Sequence, residues 1–219
     1  MRWPWQPRAD AKVPPGERVT DELPSKPYEV FAALARHDVD YVVIGGVAVQ
    51  AHGNPRTTLD VDLVAAPEAA NTDRLAAALT DLQARLRGVD AELIDVDPRD
   101  GRDLLEGGNF TLATSAGRVD VWTHPEDLKG CPPWAQLRER AQRFTVRGTP
   151  IDVVGKDDLL SMKRAAGREK DHGDVAALTS AARGHQPPAD QPRPPELERS
   201  KPPHARAQRP RTRGRDIDR

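Results

Sequence analysis

The sequence predicts an α+β fold, a mixed β-sheet of four to six strands with helices packed against it and further helices at the C-terminal end. Three observations carry this. Segments of helical period and segments that alternate with period two follow one another through the middle of the 219-residue chain. Two short turns, Ser115-Ala-Gly117 and Gly148-Thr149, each join a pair of strand-like runs. Both ends are proline-rich and charged and show no period at all.

Taken in order, Pro27 to Arg36 reads as a helix, with Val30, Phe31, Leu34 and Ala35 on one side. Tyr41 to Ile44 is a short apolar strand, punctuated by Gly45-Gly46, and Val47 to His52 can continue as a helix. Leu59 to Val64 alternates and reads as a strand. Asn71 to Leu86 is an amphipathic helix with Leu75, Leu79, Leu82 and Leu86 in line, capped by Asn71 or Thr72. Phe110 to Thr114 and Arg118 to Trp122 form the first hairpin, and Trp134 to Ala141 a helix. Phe144 to Arg147 and Pro150 to Val154 form the second hairpin. Asp157 to Ala166 and Lys170 to Ala182 are helices broken near Gly167. This divides the chain into a poorly ordered extension over 1–25, a folded domain over 26–183, and a disordered Pro/Arg-rich tail over 184–219.

Composition excludes several classes. The formal net charge of −1 gives no global field, so a nucleic-acid partner would have to meet a local patch. The single cysteine, Cys131, rules out a disulfide framework and a cysteine-based zinc site, and fits a reducing cytoplasm. No apolar run approaches the ~20 residues that span a bilayer, and the first residues lack a signal core, so a cytoplasmic protein without a membrane partner is expected.

Chemistry gathers around the acids. Ile44-Gly45-Gly46 is followed by thirteen residues and then Asp60-Val61-Asp62-Leu63. On a strand, Asp60 and Asp62 project from one face while Val61 and Leu63 point to the other. Two carboxylates so placed repel each other unless a cation sits between them, and a hard divalent ion with oxygen ligands suits the place. Glycines after a strand let a phosphate approach the backbone, and a following helix offers free N–H groups. No Lys-Ser/Thr follows them, so this is not a Walker loop, and the missing Gly-x-Gly-x-x-Gly argues against a Rossmann-type binder. Asp120, between Val119 and Val121, offers a third carboxylate on a later strand, which could bridge a metal and help deprotonate an attacking hydroxyl.

With these three parts in this order, the sequence resembles the DNA polymerase beta-like nucleotidyltransferase superfamily. The finer resemblance is to its prokaryotic AbiEii-like branch, related to type IV toxin–antitoxin proteins. It rests on Gly45, Gly46, Ala48, His52, Gly53, Arg56, Thr58, Asp60 and Asp62, and on Lys163, Arg168, Lys170, Asp171 and Asp174 further on. It covers about residues 28 to 182, and the spacing from Lys163 to Asp171 is shorter than the branch's best-known toxins lead one to expect.

The resemblance implies a nucleotidyltransferase fold and the transfer of a nucleoside monophosphate from a nucleoside triphosphate to a hydroxyl. Asp60, Asp62 and Asp120 are then the catalytic and metal-holding acids, with two Mg²⁺ ions or Mn²⁺ in their place. Gly45, Gly46, Arg56, Thr58 and Lys163 are nucleotide-binding. Lys163 adds positive charge to the phosphates, so its truncation is expected to spare the fold. The acceptor is tRNA for a toxin, a partner toxin for a protein-AMPylating antitoxin, or a small molecule such as an aminoglycoside. A catalytically silent nucleotide- or partner-binding module is the alternative. His52 is expected to be structural, His124 a surface residue, and Cys131 inert.

Overall fold

The computed structural model describes residues 26–54, 56–88, 91–181 and 197–199. Helix α1 (Pro27–Arg36) starts on a proline, whose fixed φ suits a first helical position, and buries Val30, Phe31, Ala33 and Leu34. Strand β1 (Tyr41–Ile44) is buried throughout and runs directly into helix α2 (Gly45–Ala51). Strand β2 is Asp60–Ala65, helix α3 Ala69–Asp81 and strand β3 Arg85–Leu86. Then come helix α4 (Gly101–Glu106), strands β4 (Asn109–Thr114) and β5 (Gly117–Trp122), and helix α5 (Trp134–Arg140). Strands β6 (Gln142–Val146) and β7 (Thr149–Val153) precede helices α6 (Lys156–Ala166) and α7 (Glu169–Ala181) and a short strand β8 (Leu197–Arg199).

The strands form one mixed sheet in the order β3-β4-β5-β2-β1-β7-β6-β8. β1 and β2 are antiparallel neighbours, while β2 pairs with β5 and β1 with β7 in parallel. The two hairpins give the antiparallel pairs β4–β5 and β6–β7. Helices α1 and α3 pack on each other and on β2, α2 packs on β1, β2 and α6, and α6 pairs with α7. The core between them is built from Phe31, Leu34, Leu63, Leu75, Leu79 and Phe144, all essentially without solvent contact. None of the described helices is long and apolar enough to cross a membrane.

The mixed sheet with flanking and C-terminal helices is the architecture expected from the sequence. Three details differ. Among the described residues the sheet has eight strands rather than four to six, because two short edge strands, β3 and β8, carry no alternation long enough to read. The helix expected to reach Leu86 stops at Asp81. Gln83 takes a left-handed φ of 53°, the Ala84 N–H turns back to the Leu79 carbonyl, and Arg85–Leu86 pair with β4 instead. The leucine stripe continues across that turn, so it imitates a longer helix.

The same helix begins after Glu68, so neither Asn71 nor Thr72 caps it. Asn71 lies inside the first turn and uses its amide to clamp the start of β1. Its Oδ1 accepts from the Asp40 N–H at 2.8 Å, and its Nδ2 donates to the Asp40 and Ala66 carbonyls. Residues Leu197–Arg199 of the C-terminal tail pair with β6, whereas the rest of that expectation, and the one for 1–25, lies outside the described residues.

Candidate active site

The centre of the sheet decides where the acids go. Along β2, Asp60 and Asp62 are only partly covered while Val61 and Leu63 are buried, and along β5 Val119 and Val121 are buried on either side of Asp120. The alternation places each acid on the face away from the apolar core. The parallel β2–β5 ladder then sets Asp62 directly opposite Asp120 and Asp60 opposite Arg118. Facing residues on neighbouring strands lie about 5 Å apart, so the carboxylates of Asp62 and Asp120 are immediate neighbours with Asp60 beside them.

Crowding shows in the titration of these groups. Asp62 is held above its ordinary carboxyl range, first by burial, then by the charges of Asp120 and Asp60, with the Gly46 N–H and Lys163 working the other way. Asp120 is raised too, chiefly by burial, although the hydroxyl of Thr111 on β4 opposes this. Its Oδ1 is buried and has no hydrogen-bond partner among the described residues. An orphaned carboxylate oxygen beside two further acids is a donor set that fits a hard divalent cation. The acids are neighbours rather than a closed cage, for no group of three His, Cys, Asp or Glu among the described residues is gathered closely enough to form a ligand set.

Gly45 and Gly46 open α2 next to this face. Gly45 has φ 63°, and a Cβ there would lie 1.9 Å from Asp62 Oδ2. The backbone N–H of Gly46 donates to the same Oδ2 at 3.4 Å. A Cβ on Gly46 would strike Thr58 Oγ1 at 2.4 Å and Arg56 Nη2 at 2.8 Å. Both glycines are therefore already required by close packing of the acid and its neighbours, whatever else binds there. Thr58 donates to Asp60 through the backbone carbonyl at 3.2 Å or the Oδ1 at 3.3 Å, which orients that acid. Gln50 donates to the Arg56 carbonyl and ties the preceding loop to α2.

Lys163 has partners that the sequence alone did not reveal. Only 5% exposed, its Nζ sits 2.9 Å from Asp171 Oδ1 and 2.8 Å from Asp174 Oδ2. Arg168 Nε holds the other oxygen of Asp171 at 2.8 Å, and Arg56 Nε reaches Asp174 Oδ1 at 3.1 Å. Burial raises Asp171, but the hydrogen bonds from Arg168 and Lys163 outweigh it and leave the carboxyl below its ordinary range. Five charges from three parts of the chain thus bolt α6, α7 and the loop before β2 together. Lys163 is a member of this network, and its truncation would take one partner from each of two buried carboxylates, leaving Arg168 on Asp171 and Arg56 on Asp174; this weighs against the expectation that truncation spares the fold.

A cavity of about 340 Å³ opens on this face, lined among others by Gly45, Asp62, Asp120, Trp122, Met162 and Lys163. Asp60, Gly46, Arg56 and Thr58 are not in its wall. Trp122, Thr111 and Asn109 were not singled out from the sequence. The signal for them was there: Trp122 is two residues beyond Asp120 on the same face, and the tight hairpin fixes Thr111 opposite Asp120 and Asn109 opposite Trp122. Met162 needed the three-dimensional fold, because nothing local places α6 over β5.

His52 is buried, with Nε2 2.8 Å from the Val154 carbonyl and its ring edge-on to Phe144. His124 is partly exposed beside Asp127. The Cys131 thiol is pushed up to about 12, mainly by burial, which leaves it un-ionised near neutral pH.

No protein-family model matches the chain, and no curated protein matches it. Among solved structures, a lincosamide antibiotic adenylyltransferase with lincomycin bound is similar with a TM-score of 0.49 and 16% identity, over 72% of this chain and 99% of that one. The solution structure of the antibiotic-resistance factor ANT(2'')-Ia is similar with a TM-score of 0.44 and 16% identity, over 75% and 84% of the two chains. A crystal structure of ANT(2'')-Ia with adenylyl-2''-tobramycin gives 0.44 and 15%, over 71% and 86%. At these identities and scores neither the fold nor any residue's role is argued from the likeness.

Proposed function

We propose that this chain is a metal-dependent nucleotidyltransferase of the DNA polymerase beta-like superfamily. The reading is supported by one observation above all: Asp62 and Asp120 face each other across adjacent parallel strands, with Asp60 two residues away and a buried Asp120 oxygen left without a partner among the described residues. Asp60, Asp62 and Asp120 would hold Mg²⁺ or Mn²⁺, which when bound lets close carboxylates stay ionised and neutralises phosphate oxygens. Thr58 fixes the orientation of Asp60. Gly45 lines the cavity beside Asp62 and Asp120, where a triphosphate would enter, and Gly46 supports the site by donating its N–H to Asp62. Asp120, on the wall of the cavity, would accept the proton of the attacking hydroxyl. That hydroxyl displaces pyrophosphate from the α-phosphorus, and a nucleoside monophosphate is transferred. Lys163, Arg56 and Arg168 act by holding α6 and α7 against the site.

The finer reading is an AbiEii-like toxin acting on tRNA, with a protein-AMPylating antitoxin as its rival. A second reading, a silent nucleotide- or partner-binding module, is favoured by one feature: the acids are not gathered as a ready ligand set.

The test is calorimetry of nucleoside triphosphate binding with and without Mg²⁺, comparing the wild type with Asp60→Asn/Asp62→Asn. Metal-dependent binding in the wild type and its loss in the variant is expected. Equal binding by both, or by neither at millimolar nucleotide, would remove the site. Labelled triphosphates offered with tRNA, a partner protein or a small hydroxylic acceptor then separate the transfer readings, and binding without transfer to any of them leaves the silent module.

A further inference from the structure

The acid-lined cavity has an apolar half that metal and phosphate chemistry leave without a use. Beyond the acids, its wall includes Trp122, Leu128, Leu159 and Met162. Trp122 and Leu128 are partly buried and rest against the core. Leu159 and Met162 come from α6. Carboxylates, cations and phosphate oxygens gain nothing from such a surface, whereas a flat ring with apolar faces does.

Position along β5 ties the two halves together. Trp122 stands two residues beyond Asp120 on the same face of the strand, roughly 7 Å farther along it. A sugar-sized interval thus separates the indole from the acid that faces Asp62. Across the hairpin, Asn109 on β4 is the register partner of Trp122. It lines the same cavity and is exposed, and its side-chain amide forms no hydrogen bond among the described residues. An amide offers a donor and an acceptor side by side, the pattern that pairs with the edge of a nucleobase. An indole face beside an unengaged amide suits a flat ring with a polar edge.

From this juxtaposition we propose that Trp122 is the platform on which the base of the nucleoside triphosphate stacks, with Asn109 reading the edge of that base. Leu159 and Met162 supply further apolar lining from α6. Every base has a face that an aromatic ring accepts, so the stack supplies affinity and the amide supplies discrimination. The phosphates then lie toward Gly45 and the acids, with the sugar between. The inference rests on the nucleotidyltransferase reading and adds to it the residues that select a nucleotide over bare polyphosphate.

The experiment is calorimetric titration of the full chain in Mg²⁺ with inorganic tripolyphosphate and with ATP, GTP, CTP and UTP in turn. All carry the phosphates, and only the nucleotides carry a base. At least one nucleotide is expected to bind roughly tenfold or more tightly than tripolyphosphate, the effect of one base–aromatic stack. Trp122→Ala should bring that nucleotide down to the level of tripolyphosphate and leave tripolyphosphate where it was, whereas a merely structural loss would weaken both. Trp122→Phe should restore most of the preference. Asn109→Ala should keep the preference over tripolyphosphate and narrow the differences among the four nucleotides. Circular dichroism checks folding, and if Trp122→Ala does not fold, Trp122→Leu, apolar but not flat, carries the same expectation. A nucleotide preference that survives loss of the indole overturns the inference and gives the apolar wall to the acceptor. No preference for any nucleotide over tripolyphosphate overturns it too. In either case, tripolyphosphate binding that Asp60→Asn/Asp62→Asn abolishes leaves the metal site standing, while failure of every probe to bind removes both.

Discussion

Asp62→Asn should stabilise the metal-free protein. The substitution removes a charge opposed by burial and by two neighbouring carboxylates while keeping nearly the same shape. Two unit charges about 5 Å apart at an effective dielectric near 20 repel by about 3 kcal/mol. The attraction of Lys163 and the long bond from the Gly46 N–H, both lost with the charge, offset part of this. A net gain of about 1–2 kcal/mol remains, which for a domain of this size is a rise of roughly 2–6 °C in melting temperature.

The sign with pH follows from the raised carboxyl. The folded protein holds the Asp62 proton more tightly than the unfolded chain, so the wild type carries no penalty below the ordinary value of 3.8. The penalty grows as pH rises from there through the folded value and is complete above it. Thermal unfolding followed by circular dichroism in chelator should therefore show the advantage of the variant near neutral pH and its disappearance below pH 3.8. Adding Mg²⁺ and nucleotide should reverse the order, since a ligand that binds only the folded wild type stabilises it by mass action. A variant less stable than wild type in chelator at neutral pH, or equally advantaged at both pH values, would refute the claim that like charges strain this site.

Lys163→Met should destabilise the fold by about 1–3 kcal/mol, because Asp171 and Asp174 each lose a buried partner while keeping Arg168 and Arg56; chemical denaturation in the absence of nucleotide reads this directly. A variant as stable as wild type would return Lys163 to a purely phosphate-binding role. Gly45→Ala should cost roughly 1–3 kcal/mol and weaken triphosphate binding, since the new methyl group meets Asp62 and the residue sits at positive φ; melting temperature and calorimetry report the two effects separately. Cys131 should react with a thiol-specific disulfide reagent far more slowly than a free thiol near neutral pH, with a rate that keeps rising into strongly alkaline solution, because its thiolate is scarce below about pH 12.

The sequence by itself determined what depends on neighbours along the chain. The period-two pattern of Asp60-Val61-Asp62-Leu63 settles that both acids share a face, and α1 and β1 begin and end where their patterns do. The hairpin turns determine which strands pair and in what register, and Gly167, at a φ of 61°, ends α6 where it was expected to. Contacts between segments distant in sequence were decided only by the tertiary structure. Nothing local says that β5 lies parallel to β2 with Asp120 opposite Asp62 rather than one residue off, since a strand's alternation is the same in every register of equal parity. Nor does a lysine on a helix reveal that Asp171, Asp174, Arg168 and Arg56 converge on it, because that requires α7 to fold back along α6 and the loop before β2 to meet both. The end of α3 was lost for the same reason: its leucine stripe satisfies a helix locally, and it was the pairing of Arg85 and Leu86 with β4 that broke it. Side-chain period is a property of the backbone over a few residues, whereas register, ion-pair partners and cavities are set by which surfaces the whole chain can bury together.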